Sequence, residues 1–216
     1  MSSDKEKVAK RYDRWSGVYD SVDTFPGLGR WEKRWRLEAI EMLALKPSDL
    51  VLDVGTGTGL IVPWLASRLK TGKVIGIDIS EKMLAKARER AEKCSVADRA
   101  EFKLDDAEKM SFPDNYFDKV IATYALTTIP NPEKMVQEIS RVMKPSGTFV
   151  LLDTGPPKSF GGKFVHAWMR ACAKVFGYTD ISRDPYKILA SAPSLKIVSE
   201  KRHYATTVYC MVLAKN

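Results

Sequence analysis

Residues 51–59 read Val-Leu-Asp-Val-Gly-Thr-Gly-Thr-Gly, and Val-Ile-Gly-Ile-Asp-Ile follows at 74–79. Each stretch is a short apolar run that meets an acidic residue, and the first opens into three alternating glycines. Leu60 to Lys70, between them, has helical character. The segment therefore reads strand, glycine loop, helix, strand: half of a nucleotide-binding α/β fold, with Asp78 at the tip of the second strand. Glycine lets the loop backbone approach a ligand without interference from a Cβ. The spacing Gly55, Gly57, Gly59 departs from the Gly-x-Gly-x-x-Gly of dinucleotide sites, because position 60 is Leu. Asp53, at the loop entrance, would also repel a pyrophosphate. A ligand with a cationic end and a ribose suits the loop better, with Asp78 placed to accept hydrogen bonds from the ribose hydroxyls.

The alternation continues on both sides. Strands are expected at about 50–54, 73–78, 100–104, 117–123 and 148–153, with helices at about 58–69, from Ser80 to about Lys93, and from Asn131-Pro132 through Val142. Ser80 is a candidate N-cap, and Pro132 suits a first helical turn. Lys144-Pro145-Ser146-Gly147 reads as a turn. Strands separated by helices argue for a parallel sheet covered on both faces. Upstream, Trp31 to Leu45 forms a helix stopped by Pro47, after a loop over 20–30. Val8, Tyr12, Trp15 and Tyr19 recur at helical spacing among Lys7, Lys10, Arg11 and Arg14. That amphipathic helix suits a membrane interface, a lid over the site or packing on the core. Residues 155–194 read as an insertion with a helix near 161–176 and a loop through Asp184-Pro185. A closing hairpin follows at about 195–203 and 206–214. The organisation is thus a helical lid or membrane-facing segment over 1–46 and an α/β domain over 47–216.

Composition narrows the function classes. The 216 residues suffice for one α/β domain with additions. No run approaches the roughly 18 apolar residues of a membrane span, and the polar first residues lack a signal-peptide apolar region, so a cytoplasmic protein is expected. Cys94, Cys172 and Cys210 have no metal-binding spacing and read as reduced structural residues, and no metal is expected. The net charge of +8 is uneven. Residues 1–46 carry 10 basic and 8 acidic groups, 47–154 carry 15 and 16, and 155–216 carry 10 and 3. The excess lies in the C-terminal part, which fits an anionic substrate, an anionic membrane surface or nucleic acid, or else solvated lysines that aid solubility. The chain has no arginine-rich segment or nucleic-acid module, so nucleic acid is disfavoured.

The 51–59 and 74–79 segments resemble motifs I and II of the class I S-adenosylmethionine-dependent methyltransferases. Asp106-Ala107, the stretch Phe112 to Asp118 and the stretch Arg141 to Gly147 match the later part of the same pattern. The resemblance covers about residues 45–153 and implies a Rossmann-like seven-stranded sheet of order 3-2-1-4-5-7-6 with the last strand antiparallel. It implies S-adenosyl-L-methionine as cofactor and S-adenosyl-L-homocysteine as product. The implied cofactor contacts are Tyr12, Asp53, Gly55, Gly57, Gly59, Asp78, Ile79, Met83, Asp106, Ala107 and Thr123, with Asp106-Ala107 at the adenine amino group. Two subfamilies come close: the soluble bacterial phosphatidylethanolamine N-methyltransferases and the ubiquinone/menaquinone-biosynthesis C-methyltransferases. The opening Tyr12 to Asp20 and Gly59-Leu60-Ile61-Val62-Pro63 look more like the phospholipid enzymes, as do Phe176-Gly177-Tyr178 and Lys201-Arg202. Asp153-Thr154 departs from them, because a polar pair containing His is expected there.

Transfer of a methyl group from a sulfonium requires alignment and desolvation more than a strong base. A lipid amine must nevertheless lose a proton, its free pKa being about 10. An aromatic residue could also hold the cationic product. Tyr19 and Tyr124 are the catalytic candidates, Tyr124 lying just beyond strand four. Arg183 and Tyr186, with Lys187 nearby, could grip a phosphate, and His203 could face the pocket. The expected acceptor is a phospholipid head-group amine at the inner membrane surface. The alternatives are carbon methylation of a prenylated quinol, methylation of RNA or protein, and a cofactor-binding scaffold without an acceptor.

Overall fold

Val51 and Leu52 are both fully buried, yet they belong to different apolar clusters on opposite faces of one sheet. That is the period-two alternation of a strand covered on both sides, and it explains why the central strands read as continuous apolar runs. A computed structural model describes residues 6, 8–10, 12–13, 29–175 and 180–216. The strands are β1 (Leu50–Val54), β2 (Lys73–Asp78), β3 (Ala100–Leu104), β4 (Phe117–Thr123), β5 (Met143–Thr154), β6 (Leu195–His203) and β7 (Val208–Lys215). They form one sheet of order β3-β2-β1-β4-β5-β7-β6. Neighbouring strands from β3 to β5 pair in parallel, while β7 runs antiparallel to β5 and β6.

The helices are α1 (Gly29–Met42), α2 (Val62–Ala66), α3 (Glu81–Lys93), α4 (Pro132–Val142), α5 (Phe160–Val175) and α6 (Pro185–Leu189). Trp35, Ala39 and Ile40 of α1 and Leu65 of α2 pack on the face that carries Val51, Val74, Ile121 and Leu152. Met135, Val136 and Ile139 of α4 and Ile188 and Leu189 of α6 pack on the other. Capping follows the sequence: the Ser80 hydroxyl accepts from the Met83 N–H (3.2 Å), and the Asn131 carboxamide accepts from the Lys134 N–H (3.0 Å).

Three expectations shift. The helix foreseen over 58–69 is only the short α2, because Gly59 to Ile61 continue in turns until Pro63 sets the first helical turn. The turn foreseen at 144–147 lies inside β5, which takes five residues from Met143 to Thr148 where β4 takes two from Phe117 to Lys119. The excess chain is a bulge, with Ser146 at φ 61°. The loop foreseen through Asp184-Pro185 instead starts α6, where the Asp184 carboxylate accepts from the Tyr186 N–H (3.0 Å). Trp15, Tyr19 and Phe176-Gly177-Tyr178 lie outside the described residues. Among the described residues, no helix is long and apolar enough to cross a membrane.

The parallel strands all point one way, so the loops leaving β1, β2, β3 and β4 gather at their carboxyl ends. Gly59 fixes how closely α3 approaches the first of these loops. A Cβ on Gly59 would lie 2.9 Å from the Ala87 Cβ, and its φ is +72°. Gly59→Ala is expected to lose about 1–3 kcal/mol of stability by urea unfolding, from overpacking and a strained left-handed residue. Gly57→Ala, whose Cβ would meet nothing within 4 Å, should lose less. Equal losses would show that the Ala87 contact carries no weight.

Candidate functional site

The loop after β1 is held by two carboxylates. Asp53 Oδ2 accepts from the Thr56 hydroxyl at 2.6 Å, and the Thr56 N–H donates to the Ile77 carbonyl at 2.9 Å. The Gly57 N–H then donates to Asp78 Oδ2 at 3.0 Å, while the Ser80 N–H donates to Asp78 Oδ1 at 2.9 Å. Gly55, Gly57 and Gly59 are all left-handed, which is why residues with a Cβ would strain this loop. Asp78 thus turns both oxygens to backbone donors and keeps lone pairs for a ligand.

These loops border an open, solvent-connected pocket. Gly55, Gly57, Asp78, Ile79, Met83, Asp106, Ala107, Thr123, Tyr124 and Tyr12, all among the residues the sequence proposed for the site, line it. It is also lined by Val8 of the foreseen amphipathic helix, and by Ile77, Asp105, Glu108, Thr128, Ile129 and Pro130, which the sequence did not propose for the site. Asp53 and Gly59 stand behind the wall instead. Asp53 is fully buried with Oδ1 lacking a hydrogen-bond partner, and Gly59 packs on α3. The N-terminal segment reaches this site: the Ser80 hydroxyl donates to Asp13 Oδ1 at 2.6 Å, beside Tyr12 and Val8 on the wall.

The far wall has less local logic. Asp105 Oδ2 accepts from the Ser111 N–H and hydroxyl at 3.0 and 2.6 Å, folding the 105–111 loop on itself. Glu108 Oε1 accepts from the Asn131 N–H at 3.0 Å and joins that loop to the start of α4. Arg141 and Glu138 clamp its end: the guanidinium donates to the Met110 and Phe112 carbonyls at 2.9 and 2.8 Å, and Glu138 Oε2 accepts from the Met110 N–H at 2.7 Å. Tyr124, at φ 57°, starts the loop beyond β4, and the Arg36 guanidinium lies 5.0 Å from its ring centroid. Asp153 holds that loop from below, accepting from the Thr127 hydroxyl at 2.9 Å and the Thr154 N–H at 2.7 Å.

Arg183, Tyr186 and His203 are not on the pocket wall. The Arg183 guanidinium donates to the Leu126 and Ile129 carbonyls, each at 2.6 Å, and so braces the loop beyond β4. The Tyr186 hydroxyl donates to Glu200, and Lys158 lies 5.0 Å from the Tyr186 ring centroid. His203 stacks on Trp35 at 5.7 Å, with Nε2 3.0 Å from Glu38 Oε2. Sequence spacing cannot see these partners, because each comes from a distant part of the chain.

Two carboxylates set the site's electrostatics, Asp53 fully buried and Asp78 part-buried at the pocket wall. Burial raises Asp53 from 3.8 to about 7, against the opposing Thr56 hydrogen bond. Burial likewise raises Asp78 from 3.8 to about 6, against hydrogen bonds from the Ser80 and Gly57 N–H groups. A cationic ligand would relieve that penalty. Gly57 has open space where a Cβ would sit, so a ligand can approach its backbone. A cation that also carries hydroxyls fits both features.

The chain matches the family model described as a methyltransferase domain over residues 45–193. It is 35% identical over 156 residues to the demethylmenaquinone methyltransferase of Symbiobacterium thermophilum, a match covering 72% of this chain and 62% of that protein. It is 33% identical over 156 residues to the phosphatidylethanolamine N-methyltransferase of Cereibacter sphaeroides, covering 70% of this chain and 72% of that one. This chain therefore spans less than two thirds of the quinone-type relative and somewhat more of the phospholipid-type one. The geranyl diphosphate C-methyltransferase of Streptomyces coelicolor A3(2), solved with Mg²⁺, geranyl diphosphate and S-adenosyl-L-homocysteine, superposes with a TM-score of 0.78 at 14% identity, covering 100% and 99% of the two chains. That likeness shows the shared fold.

Raised carboxylate values make a signed prediction for the ligand-free protein. The folded state binds protons on Asp53 and Asp78 that the unfolded chain has already released, so stability falls as pH rises from 3.8 through about 6 and about 7. Asp53→Asn keeps an acceptor for Thr56 but cannot ionise. Its melting temperature should decline less than that of the parent protein between about pH 5 and about pH 8. An unchanged decline would mean that Asp53 does not titrate in that range.

Proposed function

This chain belongs to the S-adenosylmethionine-dependent methyltransferase family, and from that premise we propose that it methylates a membrane lipid, its acceptor being the head-group amine of a phosphatidylethanolamine-type phospholipid. The observation that carries this reading is the chemistry of the pocket wall outside the cofactor contacts: Tyr124 together with Asp105 and Glu108. Carboxylates and aromatic faces suit an ammonium group and its methylated products. Neither histidine lines the pocket, which leaves no imidazole there to take a proton from a carbon acid. The phospholipid-type relative is also matched over more of its length than the quinone-type one.

When bound, the cofactor supplies a methyl group already activated by its sulfonium. The chain's own residues then bind, orient and exclude water. In this reading Asp78 accepts from the ribose hydroxyls, and Gly55 and Gly57 leave room for the amino-acid end. Ile79 and Met83 flank the adenine, while Asp106 and Ala107 meet its amino group. Asp53 acts from behind, its negative charge favouring the cation. Thr123 and Tyr124, at and just beyond the end of β4, would flank the sulfonium end of the bound cofactor. The acceptor amine arrives protonated; in this reading its proton passes to a wall carboxylate such as Glu108 before the nitrogen lone pair attacks, and Tyr124 positions the amine for that transfer. The described part of the N-terminal segment acts as a lid, with Val8 and Tyr12 on the wall and Asp13 pinned to Ser80. The protein works as a peripheral protein on the cytoplasmic face of an anionic membrane.

A second reading, carbon methylation of a prenylated quinol, is favoured by the 35% identity to the demethylmenaquinone enzyme. Radiolabelled methyl transfer with vesicles containing phosphatidylethanolamine or a demethylated quinol separates the two. Label in the phospholipid is expected, whereas label only in the quinol would replace the first reading by the second. Asp78→Asn should weaken S-adenosyl-L-homocysteine binding by roughly tenfold to a hundredfold in calorimetry, the worth of hydrogen bonds to a charged acceptor. Tyr124→Phe should leave that affinity intact and lower kcat by about a hundredfold, the low end of what a positioned proton-handling group contributes. An unchanged kcat would remove Tyr124 from the chemistry.

A further inference from the structure

Helix α5 carries the most exposed aromatic side chains among the described residues. Phe160, Phe164 and Trp168 are 75%, 69% and 56% exposed, and they recur every four residues along one side of the helix. The opposite side is locked to the domain. Gly162 is buried so closely against the β6–β7 turn that a Cβ would lie 2.2 Å from the Ala205 carbonyl oxygen. One turn on, His166 is buried with Nε2 2.9 Å from the Ile181 carbonyl oxygen. The Ser159 hydroxyl accepts from the Gly162 N–H at 3.1 Å, and the Thr206 hydroxyl accepts from the Lys158 and Ser159 N–H groups at 2.9 and 3.1 Å. With that side fixed, the aromatic row finds no internal surface to turn to among the described residues.

We propose that this face of α5 is the protein's docking surface for an anionic phospholipid bilayer. The proposal rests on the lipid-acceptor reading for its choice of occupant and adds the surface that would bring the site to the lipid. Three observations favour a bilayer. Residues 155–175 contain Lys158, Lys163, Arg170 and Lys174 and no Asp or Glu. On a helical projection, exposed Lys163 and Arg170 fall on the flank of the aromatic row, and the Lys163 ammonium lies 5.8 Å from the Phe160 ring centroid. Aromatic rings at the interface with basic groups beside them among the lipid phosphates is the arrangement of a helix lying in a membrane surface. A second copy of this chain is a poorer occupant, because stacking two such faces sets like charges against one another. The helix also leaves from the same end of the sheet as the pocket loops. It follows directly from the carboxyl end of β5, and His166 ties it to Ile181, two residues before the Arg183 that braces Ile129 on the pocket wall.

Flotation of the full chain with phosphatidylcholine vesicles, with and without phosphatidylglycerol, tests the surface without reference to any methyl acceptor. The parent protein is expected to float with the anionic vesicles and far less with the neutral ones. Phe164→Ser combined with Trp168→Ser, and separately Lys163→Glu combined with Arg170→Glu, should each lower binding to anionic vesicles at least tenfold. Both should keep the parent's melting temperature and its thermal shift with S-adenosyl-L-homocysteine, because the altered side chains are exposed. Parent protein that fails to float, variants that float equally well, or a parent dimer that both variants dissociate would each overturn the proposal. Failure of the acceptor reading looks different: the parent floats through α5, yet no label enters the phospholipid.

Discussion

The hydrogen bond from the Gly57 N–H to Asp78 ties the loop leaving β1 to the tip of β2. Much of the site depends on that link. It requires a left-handed backbone, which the glycines tolerate, and it requires the two strands to end at the same level, which parallel pairing provides. Asp53 reinforces the arrangement from behind through Thr56. Both carboxylates are consequently held where burial disfavours their charge. The pocket is therefore strained electrostatically in one direction, toward a cation that can also donate hydrogen bonds. Its preference for such a ligand follows from the same contacts that fold the loop.

The other wall is assembled differently. The loops beyond β3 and β4 have little regular structure, and charged side chains from remote elements hold them. Arg141 and Glu138 fix the first, Asp153 and Arg183 the second, and Glu108 links the two through Asn131. Asp153 had looked like a mere departure from the phospholipid-enzyme pattern. In the fold it is a buried carboxylate, raised by burial to about 6 and saturated by loop donors. Arg183, expected at a phosphate, instead supplies the charge-assisted hydrogen bonds that shape the loop beyond β4. Both residues belong to the support of the site, one remove from the pocket wall.

What could be read from the chain follows the range of the interactions involved. The five parallel strands, the glycine loop, the Ser80 and Asn131 caps and the closing hairpin are encoded by contiguous residues, because hydrophobic alternation, turn chemistry and capping act over a few positions. The same local logic was present at Asp184-Pro185, which has the cap-then-proline form of Asn131-Pro132 and does start a helix. The bulge at 144–147 was less legible, since a proline-serine-glycine run reads alike as a turn or as a bulge within a strand, and only pairing with β4 decides between them.

Sequence alone determined the sheet order, through its resemblance to a known pattern, and it brought Asp78, Gly55 and Gly57 forward as the site's first wall. It could do so because those residues sit at strand ends, whose positions are set locally. Tertiary structure decided that Asp53 and Gly59 stand behind that wall, that Glu108 and Ile129 complete the pocket, that Arg183 is a brace, and that the aromatic row of α5 faces outward. Each of those outcomes depends on which distant element packs against a residue. That is a property of the closed chain, and no stretch of neighbouring residues carries it.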